Sequence, residues 1–272
     1  MTAITAPVGT GPSPGASLPR SAAAVARRTV RKFVRTPQLI VVSTVQGAMF
    51  LLIFRYVFGG AINVHGVPYV DYLVPGFITT GILFSGMGAA AGVAEDVEQG
   101  FFDRLRSLPI PRSAVLAGRA LADTGLLTWA LVVTTAIGFA VGFSLQGSVA
   151  AGLAAFGLCI VYGFAFTWLF IALGLFAGNA QAAQGLALIV FPLVFVSSAY
   201  VPVRTMPGWM QPIARHQPIT AMVDAVRSLT LGGAHHAGLA HSTGHYVIVS
   251  LAWSVALVAA FAPVAVARFR HV

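Results

Sequence analysis

The chain has 272 residues, 57% of them hydrophobic and 8% charged, against about a quarter charged in soluble domains, so it reads as an integral membrane protein. Sixteen Lys+Arg stand against seven Asp+Glu, but most of the basic residues lie just outside apolar runs on one side, the positive-inside pattern, which needs no nucleic-acid partner. The single cysteine, Cys159, excludes an intrachain disulfide framework, and the single lysine, Lys32, follows Arg31 rather than the glycine of a phosphate-binding loop, so any ATP hydrolysis must come from a partner.

Residues 1–20 are rich in Pro, Gly, Ser, Thr and Ala and are expected to form a disordered cytoplasmic tail without a signal-peptide core. Arg27-Arg28 precedes an apolar run too long for a twin-arginine export signal, and no small-residue cleavage site follows. Between Ser21 and Arg35, the residues Val25, Val30, Phe33 and Val34 share one side of a helix while Arg27, Arg28, Arg31, Lys32 and Arg35 reach headgroups. This predicts an amphipathic N-terminal helix on the inner leaflet, with a plain basic tail as the alternative.

A span needs about 20 apolar residues. Six such runs follow, at about 39–58, 72–93, 121–143, 149–177, 182–201 and 246–267, within one transmembrane domain over 21–272. With both termini in the cytoplasm, twelve basic residues lie inside (Arg20 to Arg35, Arg104 to Arg119, Arg268 and Arg270) and four outside (Arg55, Arg204, Arg215 and Arg227). The short connections Ser144–Ser148 and Gly178–Gln181 make spans three, four and five antiparallel neighbours. Gly81, Gly86, Gly88, Gly92, Gly152, Gly157 and Gly163 permit close helix approach, within the bundle or against a second copy. No internal repeat points to an inverted-repeat transporter.

The external segment 202–245 contains the apolar stretch Met206–Ile213 and, after Pro218, a helical pattern of Ile219, Met222, Val223, Val226 and Leu229 that ends at Gly232-Gly233. Thr220, Asp224, Arg227 and Ser228 occupy the other face. A helical hairpin dipping into the outer leaflet is expected, the alternative being an amphipathic helix lying flat on it.

The most charged stretch runs from Glu95 to Pro109 and holds four of the seven carboxylates. Val97, Phe101, Leu105 and Leu108 fall on one helical face, Gln99, Asp103, Arg106 and Ser107 on the other, with Pro109 and Pro111 as a stop and Gly100 admitting a close neighbour. Such a helix fits a partner's groove or rests on headgroups.

The segment Glu98-Gln99-Gly100-Phe101-Phe102-Asp103-Arg104-Leu105-Arg106-Ser107-Leu108-Pro109-Ile110-Pro111-Arg112 resembles the signature of type-2 ABC exporter permeases, closest in wording to the daunorubicin/doxorubicin-resistance branch. Pro207-Gly208-Trp209-Met210-Gln211-Pro212, then His216-Gln217-Pro218-Ile219 and Arg227, is similar to that family's external segment. Phe101 stands where the broad family often has threonine, which favours the drug-resistance-like branch. The resemblance implies a non-catalytic permease of a bacterial plasma membrane, surrounded by lipid and paired with a second permease copy or a sister permease. It implies two copies of a separate ATP-binding subunit that hold ATP and Mg2+, the permease itself binding no cofactor. It also implies a cytoplasmic coupling helix contacting that subunit through Glu98, Gly100, Phe101, Asp103, Arg104, Leu105, Leu108 and Pro109. The cargo implied is a hydrophobic drug, antibiotic or lipid, with a polysaccharide or other cell-surface precursor as the alternative.

Phe50, Phe54, Phe77, Phe84 and Tyr200 are candidates to line a substrate path, bundle packing being the other reading, and Arg55 and Asp71 are candidates to pair across the first loop. His235, His236, His241 and His245 lack a carboxylate among them, so a solvated linker is expected rather than a metal site. A proton-coupled transporter would need a carboxylate at a span centre, and a membrane enzyme a catalytic cluster; neither pattern is present.

Overall fold

The computed structural model describes residues 37–59, 67–102 and 112–270, with 23, 26–27, 29–31 and 35 as isolated positions before them. The expected disordered tail, most of the basic helix at 21–35, and 103–111 of the coupling segment lie outside the described residues.

The described residues form helices without strands. In order they are α1 (Pro37–Tyr56), α2 (Tyr69–Glu98), α3 (Arg112–Ala140), α4 (Val149–Ala177), α5 (Ala180–Ala187), α6 (Val190–Phe195), a 3-10 turn at Val203–Thr205, α7 (Gln211–Arg215), α8 (Pro218–Thr230) and α9 (Thr243–Arg268). Their ends follow local chemistry. Ser148, Asn179 and Ser242 cap α4, α5 and α9 by accepting the amides of Ala151, Ala182 and His245. Gly178 leaves α4 at φ +79°, and Gly232 and Gly233 follow α8 at φ +77° and +137°.

Among the described residues four helices, α2, α3 from Val115, α4 and α9, are long and apolar enough to cross a membrane. Two apolar stretches are shorter: Val45–Tyr56 in α1, and Ala180–Phe195. The latter covers α5 and α6 and corrects the expectation of an unbroken fifth span at 182–201. Pro192 has no N–H to give the Leu188 carbonyl, which instead accepts from Phe191 at 2.9 Å. The helix breaks at Leu188-Ile189 and ends at Phe195, and 196–200 is turn. The second span is longer than expected. Glu95–Glu98 belong to α2 itself rather than to a separate coupling helix.

Helix α4 is the centre of the bundle, packed against α2, α3, α5, α8 and α9, with Tyr162, Phe170, Ile171 and Leu175 buried. Gly86 lets α2 meet the Phe170 ring, and Gly174 lets α4 meet the Ala90 carbonyl. By contrast, Gly81, Gly88 and Gly157 have open space beside them. Helices α3 and α9 turn much of their apolar surface outward, including Trp129, Val132, Ile248 and Val255, as helices against lipid do.

Helix α8 is buried on both of the faces that its sequence pattern separates. Thr220, Asp224, Arg227 and Ser228 are as buried as Ile219, Met222 and Val223. The helix sits among α2, α4 and α9.

Candidate functional site

In the orientation that the basic residues predict, the inner end of the bundle carries the end of α2 and the start of α3, and the outer end carries 144–148 and 202–242. At the inner end α2 stops at Glu98, which is exposed, as is Gln99, whose side chain donates to Glu95 Oε1 at 3.0 Å. Gly100 then adopts φ +64°, a left-handed conformation that suits glycine, with its amide on the Val97 carbonyl. Gly100 is therefore a chain break, not a close-approach point within one helix. Val97 and Phe101 lie on opposite sides of it. Helical geometry restarts at Phe101-Phe102. Phe101 is half-buried, and Phe102 is buried edge-on against Phe269 at 5.0 Å. Asp103, Arg104, Leu105, Leu108 and Pro109 lie outside the described residues.

Just above this break, Arg119 of α3 is buried. Its Nη1 donates to Asp96 Oδ2 of α2 at 2.6 Å and its Nε to Asp123 Oδ2 at 2.8 Å. Gly92 makes room for it, since a Cβ there would lie 2.5 Å from Nη2.

The outer end has a matching construction. Arg227 of α8 donates through Nη1 to Asp224 at 3.2 Å, and through Nη2 to the Ser198 carbonyl at 2.9 Å and the Tyr72 carbonyl at 3.1 Å. Its guanidinium also lies 3.6 Å from the centre of the Tyr72 ring. Ser198 Oγ donates to Asp224 at 2.7 Å, and the Tyr72 hydroxyl donates to the Ser198 carbonyl at 2.9 Å. The broken fifth segment thus leaves backbone carbonyls that a buried arginine satisfies.

Asp71 does not pair with Arg55. It accepts from the Ser144 amide at 2.8 Å, the Ser144 hydroxyl at 3.0 Å and Gln146 Nε2 at 3.1 Å, fastening the 144–148 loop to the start of α2. Arg55 Nε has no hydrogen-bond partner among the described residues.

The five path candidates divide. Phe54 stacks on Tyr200 at 4.8 Å, Phe77 lies 6.5 Å from the same ring, and the Tyr200 and Thr80 hydroxyls share a hydrogen bond of 2.9 Å. Phe84 sits apart, beside Phe191 at 5.9 Å, and Phe50 is exposed. None of the five lines the apolar cleft of about 220 Å³ between the outer halves of α2, α3, α4 and α8, whose walls include Ile78, Phe139, Leu153 and Val226. Among the described residues no group of three or more His, Cys, Asp or Glu is placed to hold a metal; the His241 and His245 rings lie tilted at 4.4 Å, both beside Tyr246.

Residues 20–231 match the model of the ABC-2 type transporter family. The chain belongs to that family. Among curated ABC permeases it is 32% identical, over 90% of this chain and 84% of the relative, to the daunorubicin resistance ABC transporter permease protein DrrB1 of Streptomyces coeruleorubidus. It is 23% identical, over 76% of this chain and 75% of the relative, to the probable doxorubicin resistance ABC transporter permease protein DrrC of Mycobacterium tuberculosis. A shorter match, 26% identical over 60% of this chain and 45% of the relative, is to the probable multidrug ABC transporter permease YbhR of Escherichia coli.

For an ABC-2 permease the two arginine clamps are what reading the sequence missed. From the sequence, Arg119 reads as an inside positive charge and Asp123 as the start of the third span. Their spacing of four residues within an apolar helix was a readable signal of a paired charge. Asp96, 23 positions before Arg119, was not readable as the third member.

Proposed function

We propose that this chain is the membrane subunit of an ATP-driven exporter that moves a hydrophobic drug, antibiotic or lipid-like molecule outward from the cytoplasm or inner leaflet. The observation that carries this reading is the similarity, along most of the chain, to a daunorubicin resistance permease. Six passages are proposed: α1, α2, α3, α4, the interrupted α5–α6 segment and α9, with both termini cytoplasmic. Two ATP-binding subunits supply ATP and Mg2+ and seat the segment after α2 through Glu98, Gly100, Phe101, Asp103, Arg104, Leu105, Leu108 and Pro109. Exposure of Glu98 and Gln99 and the break at Gly100 support a partner contact at the end of α2, with Phe102 holding the chain beyond the break to the bundle.

ATP shifts the permease between states by binding the closed ATPase pair more tightly than the open one. Phe54, Phe77 and Tyr200 form an aromatic cluster in which Phe77, Tyr200 and the bonded Thr80 hydroxyl are buried, so a planar cargo reaches these rings only when the bundle opens. A second permease, either another copy or a sister chain, completes the pathway.

The test is efflux of daunorubicin from vesicles containing this chain with a co-expressed ATP-binding subunit. Transport that requires the subunit and ATP is expected. Transport by the chain alone, or transport that persists without ATP and collapses with the proton gradient, would overturn the reading. Stimulation of the ATPase by a polysaccharide precursor but not by hydrophobic drugs would reassign the cargo.

A further inference from the structure

Three ionisable side chains meet at the inner ends of α2 and α3 in a bundle that otherwise buries few charges. Arg119 is 7% exposed, Asp96 2% and Asp123 7%. Stability alone is a weak reason for such a network, because well-packed apolar residues often serve a buried site as well as ions do. Its position offers a better one. Asp96 lies four residues before Gly100, where α2 gives way to the 99–111 segment, and Arg119 lies seven residues after Arg112, where α3 begins. The Asp96–Arg119 bond therefore ties together the two stems of the loop directly above it.

The tie fixes direction as well as distance. A guanidinium is a rigid planar fork, and here Nη1 reaches across to α2 while Nε holds Asp123 on its own helix. Nη2 lies 3.5 Å from the Ala89 carbonyl and fills the space left by the missing side chain of Gly92. A second anchor lies below: buried Phe102, just past the break, rests on Phe269 beyond the end of α9. A pull on the loop meets stems joined by a buried ion pair and held below by Phe102.

We infer that Arg119 is a positioning residue whose ion pair with Asp96 makes the inner ends of α2 and α3 move as one body when a partner displaces the 99–111 segment. This rests on the proposed function, since it is the ATP-binding subunit that supplies the displacement. The Arg119–Asp123 bond, lying within one helix, only holds the guanidinium in its orientation.

The geometry allows a matched comparison. Asp96→Asn and Asp123→Asn each remove one negative charge, and each leaves Arg119 facing one carboxylate. Both are reconstituted as the complete permease–ATPase complex in proteoliposomes, with daunorubicin as the transported probe. Asp96→Asn is expected to lower daunorubicin moved per ATP hydrolysed about tenfold, a loss within the range of coupling between contacting residues, while basal ATPase and the bound ATP-binding subunit stay within about twofold of wild type. Asp123→Asn is expected to stay within about twofold on every measure.

Asp96→Glu, which keeps the charge, should recover part of the loss. Gly92→Ala, which crowds the Arg119 fork without removing a charge, should lower the same ratio. Equal losses in the two asparagine variants, losses that merely track the amount of assembled complex, or wild-type coupling in Asp96→Asn would each overturn the inference. A wild-type chain that binds no ATP-binding subunit would overturn the functional reading and the inference with it.

Discussion

Arg227 is the largest fully buried side chain among the described residues, and nothing about its position is incidental. Replacing it with methionine would leave the Asp224 carboxylate without its counter-charge, take the guanidinium from the Tyr72 carbonyl and leave the Ser198 carbonyl with the Tyr72 hydroxyl alone. Breaking a buried pair from one side costs about 3–5 kcal/mol. Arg227→Met should therefore lower the unfolding temperature of the detergent-solubilised permease and its level in the membrane; an unchanged melting curve would show that the clamp is not structural. At the inner end, Gly100 sits at φ +64°, where a side chain adds about 1–2 kcal/mol of strain. Gly100→Val, and Asp103→Lys three positions on in the sequence, should abolish export while leaving membrane insertion intact, read by vesicle transport against membrane level. Survival of export and ATPase association in both would sink the coupling assignment. The arginine and its acid were legible in sequence as a helical i,i+3 pair. Their burial was not, because periodicity says which residues share a face and is silent on what covers it.

Among the elements, the fifth segment departs furthest from expectation. Apolar composition predicted one span from 182 to 201, and Pro192, which interrupts the hydrogen-bond ladder, was the signal that should have split it. The turn that follows presses against α2 so closely that a Cβ on Gly76 would lie 2.0 Å from the Ala199 carbonyl oxygen. That oxygen is backbone and cannot rotate away. Gly76→Ala should thus cost about 1–3 kcal/mol through overpacking. Gly81→Ala, one and a half turns along the same helix with nothing within 4 Å, should stay within about 0.5 kcal/mol. Thermal unfolding of the two variants side by side checks this, and equal behaviour would mean that the close approach is absent in the membrane. The sequence offers Gly81 and not Gly76 as a close-approach position, and packing reverses the two.

At the scale of the whole molecule, the helices are unevenly anchored. Helix α4 is surrounded, whereas α1 packs only lightly, against α2 and α3, and exposes Val45, Met49, Phe50 and Ile53. If a second permease covers this face, Met49→Cys should form a cross-linked pair in native membranes, and Val255→Cys on the outward side of α9 should not. A pair appearing only when a sister permease is co-expressed would identify a heterodimer. Reversal of the two results would place the interface on α9.

The sequence by itself determined the class of molecule, four of its long membrane helices, the helix after Pro218 and the place of the loop after α2. These depend on local quantities: the length of apolar runs, capping residues, glycine and proline, and the side on which basic residues collect. Tertiary structure alone decided where the charges went. Asp96 meets Arg119 across 23 residues, Asp71 meets Ser144 across 73, and Arg227 meets the Tyr72 carbonyl across 155. In a bundle that excludes water, a charge must find a partner wherever the fold supplies one, and such partners are set by helix packing rather than by neighbours in the chain.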